Sequence, residues 1–203
     1  MTVYQCDLRD FKPEKRYGVI LADPPWLWST WSDKGREKTP DAHYPCMDMK
    51  SLLELPVRDW ALPDCMLFMW AVDAMLPQAL DLMSAWGFEY KTVGFYWVKR
   101  TKNDKEFLGQ GYWTRGNPEQ CLLGKIGSPK RKSRAVRRLM TAQRGSHSEK
   151  PMETRRRIEA LVDGPYLELF SRHDELGWDC VGNQAGTRQV QDEPMKATTE
   201  AFC

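Results

Sequence analysis

Short apolar runs recur along the chain, each closed by a polar or glycine-bearing stretch. Residues 17–22, Tyr-Gly-Val-Ile-Leu-Ala, form a run of β-formers that predicts a buried strand. Residues 65–70 are continuously apolar and predict a second one. Residues 3–6 read as a short edge strand, 91–99 as a long, loosely alternating one, and 119–123, 166–170 and 177–182 as three more. Helical spacing falls between them. Asp48 caps a short helix over residues 48–54. Leu76, Ala79, Leu80, Met83 and Trp86 mark the apolar face of another, which Gly87 stops. Pro151 and Gly164 bracket a third, with Ile158, Leu161 and Val162 facing inward and Arg155, Arg156 and Arg157 expected on a solvated or phosphate-facing side. Seven strands interleaved with three helices predict an α/β fold, a mostly parallel sheet with helices on both faces. Beyond Gly186 the sequence turns polar and Thr-rich, so residues 1–186 are expected to form a single domain and 187–203 a loose tail.

Composition narrows the class. The 203 residues, 41% hydrophobic, suit one globular domain with a substantial core. No apolar stretch approaches the roughly 18 residues of a membrane span, and the N-terminus lacks a signal-peptide pattern, so a soluble cytoplasmic protein is expected. The six cysteines include no C-x-x-C pair and sit largely in apolar runs, which predicts reduced core thiols. His43-x-x-Cys46 has no second pair at ligand spacing, so no metal site is expected. Neither a G-x-G-x-x-G nor a P-loop occurs, which removes the main support for a dinucleotide dehydrogenase or an ATPase. Net charge is only +2, but it is unevenly spread. Lys125, Lys130, Arg131, Lys132, Arg134, Arg137, Arg138 and Arg144 follow one another without an intervening acid, reading as a phosphate-contacting loop or a disordered segment.

Asp23-Pro24-Pro25-Trp26 closes the run 17–22. In open α/β sheets, ligands bind at the carboxyl ends of strands. Two prolines stiffen the turn and leave its carbonyls as acceptors, Asp23 adds a carboxylate, and Trp26 adds a broad ring. An aminopurine matches this set, with a planar ring to stack and an exocyclic amine bearing two N–H donors. An ordinary turn, with Asp23 as a cap and Trp26 packed inward, is the other reading. The following stretch, to about residue 45, mixes Trp28, Trp31 and Tyr44 with Lys34, Arg36, Lys38 and His43, which suits either nucleic-acid contact or a cover over the core. Residues 100–117, with Gly109, Gly111 and Gly116, are expected to be mobile.

Ile20-Leu21-Ala22-Asp23-Pro24-Pro25-Trp26, Leu67-Phe68-Met69-Trp70, Trp97-Val98-Lys99, Leu167-Glu168-Leu169-Phe170 and Gly182-Asn183-Gln184 occur in that order. Together they resemble the adenine N(6)-methyltransferase family named after the seventy-kilodalton catalytic subunit of the messenger-RNA adenosine methyltransferase. That family includes many bacterial and phage DNA methyltransferases, and the resemblance covers about residues 5–185. It implies a Rossmann-like, S-adenosylmethionine-dependent methyltransferase fold of permuted order, in which the catalytic motif precedes the cofactor-binding part. Phe170-Ser171-Arg172 then stands in for the glycine-rich turn, with Ser171 where Gly or Ala is usual. By position, Asp7 with Leu8 resembles the pair that contacts the cofactor's adenine ring, and Lys150 the lysine that reaches its carboxylate or the pocket edge. Phe170 and Arg172 resemble the residues flanking the ribose, Asn183 and Gln184 the pair on the ribose hydroxyls, and Asp23 belongs to both the catalytic and the cofactor sets. His173 and Asp174 match less well, because eukaryotic members carry His-Asn near there.

The reaction implied is methyl transfer to the exocyclic nitrogen of adenine. Asp23 and the Pro24 carbonyl would accept the two N–H bonds, Pro25 would stiffen the turn, and Trp26 would stack on the base. The resemblance therefore reads the chain as an adenine-specific, site-specific DNA methyltransferase of the bacterial or phage branch. With no room for a separate target-recognition domain, a short or relaxed recognition sequence is expected. Trp28, Lys99, Lys130, Arg131, Lys132, Arg134, Arg137 and Arg138 are the expected nucleic-acid contacts. DNA would come single-stranded or offer a flipped adenine. RNA adenosine is the alternative substrate, since nothing in the motif reads a 2′-hydroxyl. A catalytically silent nucleic-acid-binding subunit is the alternative from another class.

Overall fold

The computed structural model describes residues 1–27, 46–109, 111, 113–145, 149–183 and 185–186. Its strands are β1 (Val3–Tyr4), β2 (Tyr17–Ala22), β3 (Ala61–Ala71), β4 (Glu89–Arg100), β5 (Pro118–Ile126), β6 (Leu139–Gln143), β7 (Tyr166–Leu169) and β8 (Trp178–Val181). Its α-helices are α1 (Met49–Leu53), α2 (Val57–Trp60), α3 (Leu76–Ala85) and α4 (Glu153–Leu161). The strands form one sheet in the order β1-β8-β7-β2-β3-β5-β4-β6. β5 runs antiparallel to β3 and β4, and every other pairing is parallel. Seven carboxyl ends and the amino end of β5 therefore share one edge.

β2 is central and buried along its whole length, because both faces of the sheet are covered. Alternation along β3 sends Leu67 and Met69 into one core with Leu52, Met83 and Trp86. Phe68 and Trp70 enter the other, with Trp97, Ile158 and Trp178. Asp48 caps α1 as expected, accepting the Ser51 N–H at 2.7 Å. The described cysteines are free thiols, and burial pushes Cys65 and Cys180 up to about 12. Among the described residues, no helix is long and apolar enough to cross a membrane.

Three expectations need correction. The described sheet has eight strands, not seven, because residues 139–143 of the basic segment form β6 on the edge beside β4. Only Met140 of that strand is buried, so its apolar signal is weak. The four-residue α2 is too short for a helical period to show. Arg155 is buried, not solvated: its guanidinium holds Glu168 of β7 through bonds of 2.8 and 2.7 Å. Residues 28–45, including Trp28, and the tail at 187–203 lie outside the described residues.

Candidate active site

The shared edge assembles what the sequence scatters. Asp23 follows β2, Phe170 to Arg172 follow β7, Asn183 follows β8, and Asp7 follows β1; these are four neighbouring parallel strands. Phe170 takes a φ of 62°, a left-handed conformation that a bulky residue adopts at a cost of about 1–2 kcal/mol. The turn is pinned by the Ser171 N–H to the Val181 carbonyl at 2.9 Å and by the Ser171 hydroxyl to the His173 carbonyl at 2.7 Å. It passes so close to Gly182 that a Cβ there would stand 2.4 Å from the Ser171 carbonyl oxygen. Gly182 is thus a close-approach residue, and this explains the glycine ahead of Asn183.

A chain of alternating charges runs inward from Asp23. Lys150 Nζ lies 2.7 Å from Asp23 Oδ2 and 3.4 Å from Glu119 Oε2, and Glu119 in turn pairs with Lys99. The two lysines also lie over aromatic rings, Lys150 at 5.5 Å from the Trp70 centroid and Lys99 at 5.3 Å from that of Trp97. Asp23 still shows 34% of its side chain to solvent. Protein packed around its carboxylate nevertheless pushes its pKa above the ordinary value; Glu119 adds to this, while Lys150 and Arg172 oppose it. Burial works the same way on Glu119, but the ammonium groups of Lys150 and Lys99 overcome it and hold that carboxylate below its usual range. A pocket beside the chain is lined by Asp23, Trp70, Lys150, Glu168, Phe170 and Arg172, among others. The indole N–H of Trp70 is buried and has no hydrogen-bond partner among the described residues.

The MT-A70 family profile matches residues 17–184, which takes in every strand from β2 to β8. The chain belongs to the MT-A70 family. The mostly parallel α/β sheet described above is thus a methyltransferase fold. The chain is 34% identical to the type II methyltransferase M.MunI of Mycoplasma sp, over 88% of this chain and 82% of that protein. It is 26% identical to a putative N(6)-adenosine-methyltransferase MT-A70-like of Medicago truncatula, over 97% of this chain and 31% of that protein. It is also 26% identical to the N(6)-adenine-specific methyltransferase METTL4 of Mus musculus, over 88% of this chain and 39% of that protein. The chain thus spans most of the bacterial relative and a third or so of the longer eukaryotic ones.

Within this MT-A70 site, Asp23, Lys150, Phe170 and Arg172 meet at one pocket, as the sequence suggests. Other placements differ. Trp26 is not an open stacking face: it is 5% exposed, and its indole N–H donates to the Trp70 carbonyl at 3.2 Å. The proline carbonyls are also engaged, Pro24 O accepting the Trp26 N–H at 2.8 Å and Pro25 O the Met47 N–H at 3.1 Å. A carbonyl has two lone pairs, so Pro24 retains one for a ligand. Asp7 caps the short 3-10 turn Leu8–Asp10 and holds the Arg9 guanidinium, which draws its pKa down to about 2. The Leu8 side chain is packed in the core. Asn183 is exposed at the β8 end, and Gln184 lies outside the described residues.

The nucleic-acid set divides. Lys99 is an inner member of the charge chain, with 16% of its side chain exposed, and so is not an open phosphate contact. β5 carries the chain across nine residues, about 25–30 Å, away from the site edge before the basic segment begins. Lys130, Arg131 and Lys132 start from that far edge and lie by the end of α4. There the Lys132 N–H donates to Leu161 O at 2.8 Å, and its ammonium pairs with Asp163 at 2.8 Å. Arg134 and Arg137 are exposed alongside α4, and Arg138 donates to Thr92 Oγ1 at 3.1 Å. The structure does not bring these bases together with Asp23. It brings instead Glu119, which the sequence reading passed over. Its signal is an acid just inside the apolar run of β5, after Asn117-Pro118.

Proposed function

We propose that the chain methylates the exocyclic amine of adenine in DNA, with S-adenosylmethionine as donor. The reading rests on Asp23: a carboxylate at the carboxyl end of the central strand, bonded to Lys150, with an acceptor lone pair of Pro24 beside it. The bacterial and mouse relatives, a type II methyltransferase and an N(6)-adenine-specific methyltransferase, support it.

The pocket's donor set fits the cofactor's amino-acid end. Lys150 and Arg172 offer cations to a carboxylate, and Glu168 offers an acceptor to an ammonium. Asn183 at the β8 end would take a ribose hydroxyl. When bound, S-adenosylmethionine supplies an electrophilic methyl group on a sulfonium.

The protein's own work is on the adenine. Its amine is a poor nucleophile because the lone pair is delocalised into the ring. Accepting its two N–H bonds at Asp23 Oδ and Pro24 O favours a pyramidal nitrogen and aims the lone pair. The raised pKa of Asp23 then suits it to take up the proton that leaves once the new N–C bond has formed. Lys150 keeps the carboxylate oriented, and Glu119 with Lys99 keeps Lys150 in place. Trp26, bonded to the Trp70 carbonyl, anchors the Pro-Pro turn.

The test is Asp23→Ala. Calorimetric binding of S-adenosylmethionine is expected to persist, while methyl transfer to DNA falls by at least about 100-fold. Retained activity would refute the assignment.

A further inference from the structure

Among the described tryptophans, six are at most 5% exposed; Trp113 is 100% exposed. It belongs to the loop at residues 101–117, which leaves the carboxyl end of β4 and returns at the amino end of β5. Both ends lie on the edge that holds Asp23. The loop is fastened at its base. Asn117 Nδ2 donates to Phe107 O at 2.6 Å, and its Oδ1 accepts the Lys99 N–H at 3.1 Å; two residues on stands Glu119 of the charge chain. The Arg144 guanidinium covers the Phe107 ring at 4.6 Å. The neck is closed by the Gly109 N–H to Gly116 O at 2.8 Å. A Cβ at Gly109 would stand 2.3 Å from Gly116 O, and one at Gly111 would stand 2.0 Å from Thr114 O. The glycines thus let the tip turn more tightly than any other residue allows, and that turn holds the indole out in water.

A large apolar ring kept in solvent, on a loop that springs from the sheet edge holding Asp23, wants a flat partner. Arg115 beside it, with Lys102 and Lys105 lower in the loop, outnumber Asp104 and Glu106 and favour an anionic one. We propose that Trp113 stacks on a nucleobase of the substrate strand next to the target adenine, holding the strand while the adenine occupies the pocket. This rests on the nucleic-acid reading above and adds a strand-holding contact to it.

The test compares a fluorescein-labelled 20-nucleotide mixed-sequence DNA strand with an abasic strand of equal length and charge. Wild-type protein is expected to prefer the strand with bases. Trp113→Ala is expected to weaken that binding by about 5- to 150-fold, the range of one base–aromatic stack, and to leave abasic binding unchanged. Trp113→Phe is expected to restore most of it. Equal binding of both strands by wild type and Trp113→Ala, with methyl transfer intact, would overturn this inference and leave the methyltransferase reading standing. So would unchanged DNA binding together with conversion of a wild-type dimer to monomer by Trp113→Ala in sedimentation, which would assign the ring to a protein contact. Failure of wild type to methylate any adenine-bearing strand would instead bring down the reading on which the inference rests.

Discussion

Asp23 is useful to the chemistry only while it is ionised, since a protonated carboxyl offers one acceptor fewer to the adenine amine. Burial holds its pKa above the ordinary carboxylate value, so the rate of methyl transfer should fall on acidification at a pH above about 4. The Lys150 ammonium opposes that shift. Removing it with Lys150→Met should therefore move the acidic limb of the single-turnover pH–rate profile to higher pH. A limb that stays in place or moves down would contradict the ion pair's role. At this scale the chemistry of the Asp-Pro-Pro-Trp turn singles out Asp23, while Lys150, Phe170 and Arg172 come from the family resemblance; the four line one pocket. Burial was harder to read. The same Trp26 reads equally well as a stacking face or an anchor, and only the bond to the Trp70 carbonyl decides between them. Glu119 and Lys99 pair across β4 and β5, a relation fixed by strand register and not by spacing along the chain.

α4 and β7 meet through Arg155 and Glu168, a pair nearly removed from water, with Glu175 a further 3.9 Å contact on the guanidinium. Burial penalises the guanidinium, but Glu168 more than compensates and raises its pKa. Arg155→Ala would leave Glu168 buried without its partner and should cost about 3–5 kcal/mol, measured as a lower urea midpoint at unchanged slope. A shift below about 1 kcal/mol would show that the pair is not what docks the helix. Arg155-Arg156-Arg157 illustrates why sequence misleads here: three adjacent arginines look like one solvated face. The helix turns them to three directions, Arg155 to Glu168, Arg157 to Glu153 and two backbone carbonyls, and Arg156 to solvent. β6 escaped for the opposite reason. It is an edge strand whose stability comes from five pairings with β4 and not from its own apolar content.

For the whole molecule, sheet topology decides which charges can act together. Alternation of strands and helices predicted a mostly parallel sheet, and its shared edge gathers the site. The basic segment looked like a companion to that site, but the antiparallel β5 delivers it to the opposite edge. Alanine at Lys130, Arg131 and Lys132 should therefore leave the affinity of a 10-nucleotide strand and its salt dependence nearly unchanged. Alanine at Lys102, Lys105 and Arg115 should weaken that binding and lower the salt slope by about two to three phosphate contacts. The reverse pattern, read from titrations at several salt concentrations, would place the strand on the far edge.

The most direct test of the account is to incubate the protein with methyl-labelled S-adenosylmethionine and, separately, duplex DNA, single-stranded DNA and RNA, then digest each and identify the labelled nucleoside. Label is expected in N(6)-methyldeoxyadenosine from DNA, and none with Asp23→Ala. Label in a cytosine, label confined to RNA, or full labelling by the Asp23→Ala protein would contradict it.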